Sequence, residues 1–442
     1  ASGQGLRYQW LRNGLPIGGA NAASHTTPAL TVDDSGAVYS VVVYNGAGLV
    51  FSNGATLTVT AAAASTPLLA TAVAAGFGSS YAVDTLGDVW AWGRLVDPTT
   101  GGYKASSPWA TAPVRVQGLF NVKSVVVTSE TGNVYALHTD GSVSAWGRNE
   151  VGQLGDGTTT DRALPVKVLD GSAGADSPPI TGICQIAAGH SALAMAPCDG
   201  HPTLMVGLMS TTNFGGATGS GFTPNGALAR VVPGLPGGQV LALAMPDTAA
   251  NAEGGLLVAY SDNGMWAWGA QRNNSLGAGA NETRAGTAVA AVEVTSTFNP
   301  RGRVVSRIDM GRDFTLVRWA GGAVLGIGRN VEGQLGNGTT TTRTTLDYVS
   351  SAQNLGNFSV GQVNVAALVN GNVWIWGWHD RQILTQPTQF TTGGGFAQLS
   401  LGDQHGLLID TAGRVHAWGD GSFGALGTGD AQATLPVLVM RL

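Results

Sequence analysis

The side chains able to do chemistry are few, and their spacing argues against catalysis. Seven histidines are scattered with no pair at metal-ligand spacing. Neither a Gly-x-Ser-x-Gly nucleophile elbow nor a Gly-x-x-x-x-Gly-Lys-Ser/Thr phosphate loop is present. Asp156 and Asp161, in the stretch Gly-Asp-Gly-Thr-Thr-Thr-Asp, invite a calcium reading. Calcium takes about six to eight oxygens, however, and the stretch matches no EF-hand loop, so the pair reads as solvated turn carboxylates. Cys184 and Cys198 are the only cysteines, and their spacing excludes a Cys-x-x-Cys metal knot. These residues predict no catalytic site, no metal and no cofactor. An enzyme would need convergent carboxylates or a nucleophile and base in one pocket, which a sequence drawing on many segments does not display.

The elements that carry these residues are strands. The 442-residue chain holds 67 glycines and only 11% charged residues, a turn-rich β composition in which charged helix formers are scarce. A net charge of -5 and a pI near 5.8 argue against a nucleic-acid or anionic-membrane partner. No run of about 18 apolar residues exists, so no membrane span is expected. The first residues lack a charged segment followed by an apolar one, so any signal peptide is expected to have been removed or to lie upstream.

A short strand ending in aromatic-x-Trp-Gly, or a degenerate form of it, recurs seven times: Val89–Gly93, Val143–Gly147, Leu204–Gly207, Met265–Gly269, Val324–Gly328, Val373–Gly377 and Val415–Gly419. Successive terminal glycines lie 54, 60, 62, 59, 49 and 42 residues apart, a constant unit interrupted by loops of different length. Each unit reads as two apolar strands followed by the Trp-Gly strand. Seven such meanders predict a seven-bladed β-propeller over 68–442. Nine of the twelve tryptophans sit in or beside the motif, as expected if they fill the wedges between blades.

The motif is followed in several units by Arg-Asn-x-x-Gly-Gln-Leu-Gly-x-Gly, closely at Arg148–Gly157 and Arg329–Gly338, partly at Leu276–Gly279 and Phe423–Gly429. This resembles the repeat of the regulator of chromosome condensation family. The resemblance implies a seven-bladed propeller that binds proteins through loops on one face, and the acidic charge counts against a chromatin role. Arg94, Arg148 and Arg329 follow the motif and are expected to satisfy turn carbonyls. His190 and His405, at similar turns before a second strand, are expected to be structural.

Three units depart from the pattern, at Leu95–Pro113, Ser210–Gly221 and Trp378–Leu384. Tyr103, Trp109, Phe214, Phe222, Trp378 and His379 in or beside these segments are the candidate binding residues, since interface anchors are enriched in aromatic side chains. The alternative is that each folds back onto its own blade. Cys184 and Cys198 fall on the first two strands of the third unit, equidistant from Ser191, so a hairpin there sets them opposite one another. The reading is a disulfide, with two buried thiols as the alternative. The terminal strand Leu435–Val439, which aligns with Leu164–Val168, is expected to close the ring by completing the first blade.

Residues 1–60 differ. Tyr8–Gly14, Ala29–Val32, Asp34–Val43 and Ala55–Val59 resemble strands C, E, F and G of a bacterial immunoglobulin-like domain, with Trp10 as the core tryptophan and Tyr39 as the corner tyrosine. The resemblance implies an incomplete sandwich lacking strands A and B, joined to the propeller by a small-residue linker at 61–67. Trp10, Leu30, Val32, Tyr39 and Val41 would then face a cleft open to strand complementation, by a neighbouring copy or by strands upstream in the same chain. The two-module layout, the abundant Thr, Gly and Ala, and the three lysines (Lys104, Lys123, Lys167) resemble bacterial cell-surface proteins. The expectation is a non-enzymatic, secreted surface or filament subunit that binds proteins or its own copies. The alternative is a secreted inhibitor of the β-lactamase-inhibitor type.

Overall fold

The computed structural model describes residues 4–28, 30, 34–45, 48–59, 65–97, 109–129, 131–171, 176–207, 227–232, 234–246, 255–262, 264–270, 273–278, 284–285, 291–299, 302–349 and 355–441. The chain divides into two compact units between Ser65 and Thr66.

In the first unit, Arg7–Arg12, Leu15–Pro16, Val38–Asn45, Gly48–Phe51 and Ala55–Thr56 form one antiparallel sheet. Asn13 and Gly14, with φ of 53° and 78°, make the tight reversal between the first two strands. Val38–Asn45 is central, paired with Arg7–Arg12 on one side and with Gly48–Phe51 and Ala55–Thr56 on the other. None of its side chains is fully buried. Among the described residues of the unit, the buried hydrophobic ones are Leu11, Ala20 and Ala37. A sandwich takes a second sheet, and the described residues make one. Of the strand expected at Ala29–Val32, only Leu30 lies within the described residues.

Among the described residues the second unit contains one two-stranded pairing and seven antiparallel sheets of four or five strands, spanning 70–115, 122–167, 183–231, 240–293, 305–348, 358–389 and 396–438. Each is a meander whose strands pair in chain order, and the fourth carries one additional short strand. The first strands of all seven line a common channel of about 420 Å³, from Val73–Ala75 round to Leu399–Leu401. Seven sheets around one channel is the arrangement of a β-propeller, and each sheet is one blade. Helix is minor among the described residues, with a single α-turn at Thr295–Phe298. No helix there is long and apolar enough to cross a membrane.

The Trp-Gly motif is the third strand of its blade. Trp92 and Trp376 are fully buried, and the Tyr81 ring of the first blade meets Trp146 of the second edge-on at 6.2 Å. The following glycine is required by the backbone. At Gly419, φ is 100° and a Cβ would meet the Gln404 carbonyl.

Each blade also has a fourth, outer strand that a three-strand reading of the repeat omits. Trp109–Arg115, Arg162–Lys167, Gln382–Gln389 and Gln432–Leu438 pair with the third strands of their own blades. They carry Pro113, Pro165, Pro387 and Pro436, and each pairing contains a register shift. A proline is tolerated on an outer edge because the missing N–H faces solvent. Two expectations are thereby corrected. Trp109 opens a strand, not the middle of a loop. Leu435–Val439 does not complete the first blade, because that blade already has Trp109–Arg115 outermost, and Ala417 faces Val437 in the seventh.

The ring closes instead at the chain's other end of the same seam. Thr66–Pro67 pairs antiparallel with Met440–Arg441, Leu68 N–H donates to Val439 O at 3.0 Å, and Val415 N–H donates to Leu68 O at 2.9 Å. Leu68 and Val439 are fully buried among Trp92, Leu407 and Val415, so residues of the first and seventh blades share one core.

Candidate functional site

The loops after the third strands are built by the Arg-Asn-x-x-Gly-Gln-Leu-Gly pattern, and their construction explains the pattern. Asn149 and Asn330 act as staples. Asn149 Oδ1 accepts Leu154 N–H at 2.9 Å while its Nδ2 donates to Thr158 O and Thr160 O. Asn330 repeats this with Leu335, Thr339 and Thr341. Asp156 and Asp161 belong to the same brace, which corrects their reading as solvated. Asp156 pairs with Arg162 at 2.6 Å with its side chain 6% exposed, and Asp161 accepts Asn149 N–H.

The loop leucine reaches forward onto the next blade. Leu154, Leu276, Leu335 and Leu426 are at most 1% exposed. They pack respectively against Val206 of the third blade, Ile327 of the fifth, Trp376 of the sixth and Trp92 of the first. The residue before the leucine offers its carbonyl. Trp92 Nε1 donates to Ala425 O at 2.9 Å, Trp376 Nε1 to Gln334 O at 3.0 Å and Thr315 Oγ1 to Ser275 O at 2.6 Å.

The sixth blade breaks the rule. Its third strand runs on to His379 and reverses at Asp380 and Arg381, with φ of 44° and 62°, into its fourth strand. This two-residue hairpin replaces the whole plugging loop. The apolar cluster between the sixth and seventh blades accordingly contains no loop leucine, and no loop carbonyl among the described residues caps Trp418. In the vacated volume lies a cavity of about 460 Å³, lined by Ile375, Trp378, Phe390 and Trp418 and by Asp380, Arg381, Asp403, His405 and Asp420.

Histidines at this seam are neutral. Burial pushes the His405 ring down to about 4, against the opposing charge of Asp420. Its Nε2 lies 2.8 Å from Ser80 Oγ of the first blade, and that hydroxyl donates to Ala425 O. His379 Nε2 donates to Val365 O at 3.1 Å and Trp376 O at 3.0 Å, and burial lowers its pKa. The His379 imidazole is therefore engaged with its own blade.

A second surface feature lies at the seventh–first seam. Trp109 is 61% exposed, its ring is 5.6 Å from that of Phe423, and the Arg94 guanidinium lies 5.6 Å from the Phe423 centroid. Phe423 holds φ of 61°, a left-handed conformation that bulky residues rarely adopt. Arg148 pairs with Glu150 and Arg329 with Glu332, so these two arginines hold carboxylates where turn carbonyls were expected. His190 and His405 are not equivalent either, since His190 is in the turn and His405 opens the strand.

Of the candidate aromatics, Trp109 and Trp378 are exposed, at different seams. Tyr103, Phe214 and Phe222 lie outside the described residues. Arg94, Phe423, Phe390, Trp418, Asp403 and Asp420 were missed by sequence reasoning. The signal for the last four was present in the shortened segment Trp378–Leu384. In the first unit, Trp10 lies opposite Val41 and is partly covered by its own chain, donating Nε1 to Ala22 O at 3.0 Å. The His25 ring sits between those of Trp10 and Tyr39, Leu30 is exposed, and Val32 lies outside the described residues. Cys184, on the first strand of the third blade, and Cys198, just past the end of the second, form a disulfide with Cα atoms 5.0 Å apart. Among the described residues no group of three or more His, Cys, Asp or Glu could hold a metal ion.

These features define a repeat propeller, and comparison with known proteins names the repeat. Residues 140–195 and 396–425 match the regulator of chromosome condensation (RCC1) repeat. The Ultraviolet-B receptor UVR8 of Arabidopsis thaliana is 27% identical over 374 residues, covering 80% of this chain and 78% of that protein. Protein pim1 of Schizosaccharomyces pombe is 34% identical over 137 residues, 28% of this chain and 24% of that one. Among solved structures, human WBSCR16 superposes with a TM-score of 0.62 at 17% identity, covering 80% of this chain and 93% of that one. Prp20p of Saccharomyces cerevisiae, studied for binding to Gsp1p and histones, gives 0.62 at 16%, covering 80% and 85%. The chain carries RCC1 repeats and has the fold of RCC1-type propellers.

Proposed function

We propose that this chain is a non-enzymatic, exported bacterial protein, a surface or filament-forming subunit that binds neighbouring copies through its N-terminal sheet and other proteins through propeller loops. The observation that carries self-association is the outer strand Gly48–Phe51. It ends the sheet, and Leu49, Val50 and Phe51 are 61%, 65% and 63% exposed. An apolar edge strand with unpaired backbone groups accepts another strand by β-augmentation. The Cys184–Cys198 bridge supports export, because such bonds persist in oxidising compartments. Sedimentation of the full chain tests the reading. Concentration-dependent association that a Val50→Lys substitution abolishes is expected, and a monomer at all concentrations overturns it.

The cluster of exposed Trp109 and Phe423 with half-buried Arg94 favours a second reading, a secreted binding module of the inhibitor type, since aromatic and arginine side chains dominate interface energetics. Under that reading the N-terminal edge is dispensable and Trp109→Ala removes partner binding.

A further inference from the structure

The vacancy between the sixth and seventh blades has a defined mould. In four other seams the equivalent volume is filled from within by a loop leucine, accompanied in three of them by a carbonyl that caps a side chain of the next blade, and here the described residues supply neither. The walls have also changed sign. Arg94, Arg148 and Arg329 follow the motif glycine in three blades, whereas the seventh blade has Asp420 and the sixth has Trp378 at that position. Asp380 and Asp403 join Asp420 in the lining, against the single cation Arg381, and both histidines are neutral. Asn364, a wall residue 4% exposed, keeps Oδ1 without a hydrogen-bond partner.

A leucine fits the other seams because apolar side chains surround it there. This one combines an aromatic floor, Trp418 with Phe390 at 6.0 Å, with a net negative rim. A lysine or arginine side chain satisfies both parts, laying its methylene stem on the indole while its head reaches the carboxylates. We propose that this cavity is a receptor for a basic side chain presented by a loop of a partner protein, which takes the place of the missing internal plug. The chain's net charge of -5 favours approach of such a basic partner. The inference is independent of self-association through the N-terminal edge.

The test uses the full chain labelled with 5-fluorotryptophan and three capped peptides that imitate the missing loop, Gly-Gln-Lys-Gly, Gly-Gln-Leu-Gly and Gly-Gln-Glu-Gly. The fluorine resonance of Trp378, assigned by Trp378→Phe, and that of Trp418 are followed during titration. The lysine peptide is expected to move both resonances saturably and to bind about tenfold more tightly than the glutamate peptide. Asp420→Asn, which keeps the acceptor that Ser422 N–H uses at 2.7 Å, is expected to weaken it about threefold or more. Replacing the Asp380–Arg381 turn by the Arg329–Gly338 loop is expected to abolish the response. Equal binding of the lysine and glutamate peptides, tighter binding of the leucine peptide, or indifference to Asp420→Asn overturns the proposal. None of these outcomes bears on the oligomeric state that tests the N-terminal edge.

Discussion

His405 illustrates how a single buried side chain ties two blades together and sets a pH limit. Its ring is 2% exposed and bridges to Ser80, and burial holds its folded pKa at about 4 against an ordinary 6.5. The unfolded chain therefore binds the proton first as pH falls. The contribution is complete above about pH 6.5 and is lost as pH drops toward 4, a span worth about 3 kcal/mol. Urea denaturation of the wild type should show this loss between pH 7 and 5, and His405→Gln should flatten it. An unchanged pH dependence in the variant would place the titration elsewhere. At this scale the sequence was a partial guide. It marked His405 as structural, but aligned it with His190, because the turn before the second strand differs in length between blades. Phe423 gave no signal at all, since a left-handed backbone at an aromatic residue is imposed by the surrounding loop.

The elements were legible in proportion to how much apolar pattern they carry. All seven third strands could be read, because buried apolar residues, with Trp in five of them, before a conformationally required glycine leave a strong trace. Outer strands such as Trp109–Arg115 were hidden, since an edge strand is half solvated and tolerates proline, the residue that ordinarily marks a loop. The hairpin of the third blade could be read from the repeat pattern together with the cysteine spacing. It joins Ile183–Gly189 to Ala192–Pro197 with Gly189 facing Ala192, and the bridge closes a loop with a sequence separation of 14. Replacing both cysteines by serine should lower stability by about 3 kcal/mol in the chain-entropy account. Guanidinium midpoints with and without reductant measure it, and equal midpoints would show that the blade holds without its bridge. The cavity at the sixth–seventh seam was visible only as a missing segment. Part of its chemistry comes from the segment itself, Trp378, Asp380 and Arg381, and part from Asp403, His405, Trp418 and Asp420 of the next blade, brought to it by the ring.

For the whole molecule, closure is the property that repetition alone does not specify. Seven repeats suggest a ring, yet where the ends meet depends on a pairing of two residues with two, too short to carry a periodic signal. The seam compensates by burying Leu68 and Val439 completely beside Trp92. Leu68→Ala should therefore cost about 2–5 kcal/mol although it lies outside every blade. A thermal scan that separates early loss of the seam from melting of the remaining blades would show whether closure is cooperative with the fold. The pairing also sets how the ring responds to a mechanical load. Arg441 faces Thr66 and Met440 faces Pro67, so the outermost pair is the one nearest both exits of the chain. Tension applied between those exits peels the pairs apart one after another instead of shearing them together. The seam is thus the part of the propeller expected to yield first under pulling, with Leu68 and Val439 the first buried side chains to reach water.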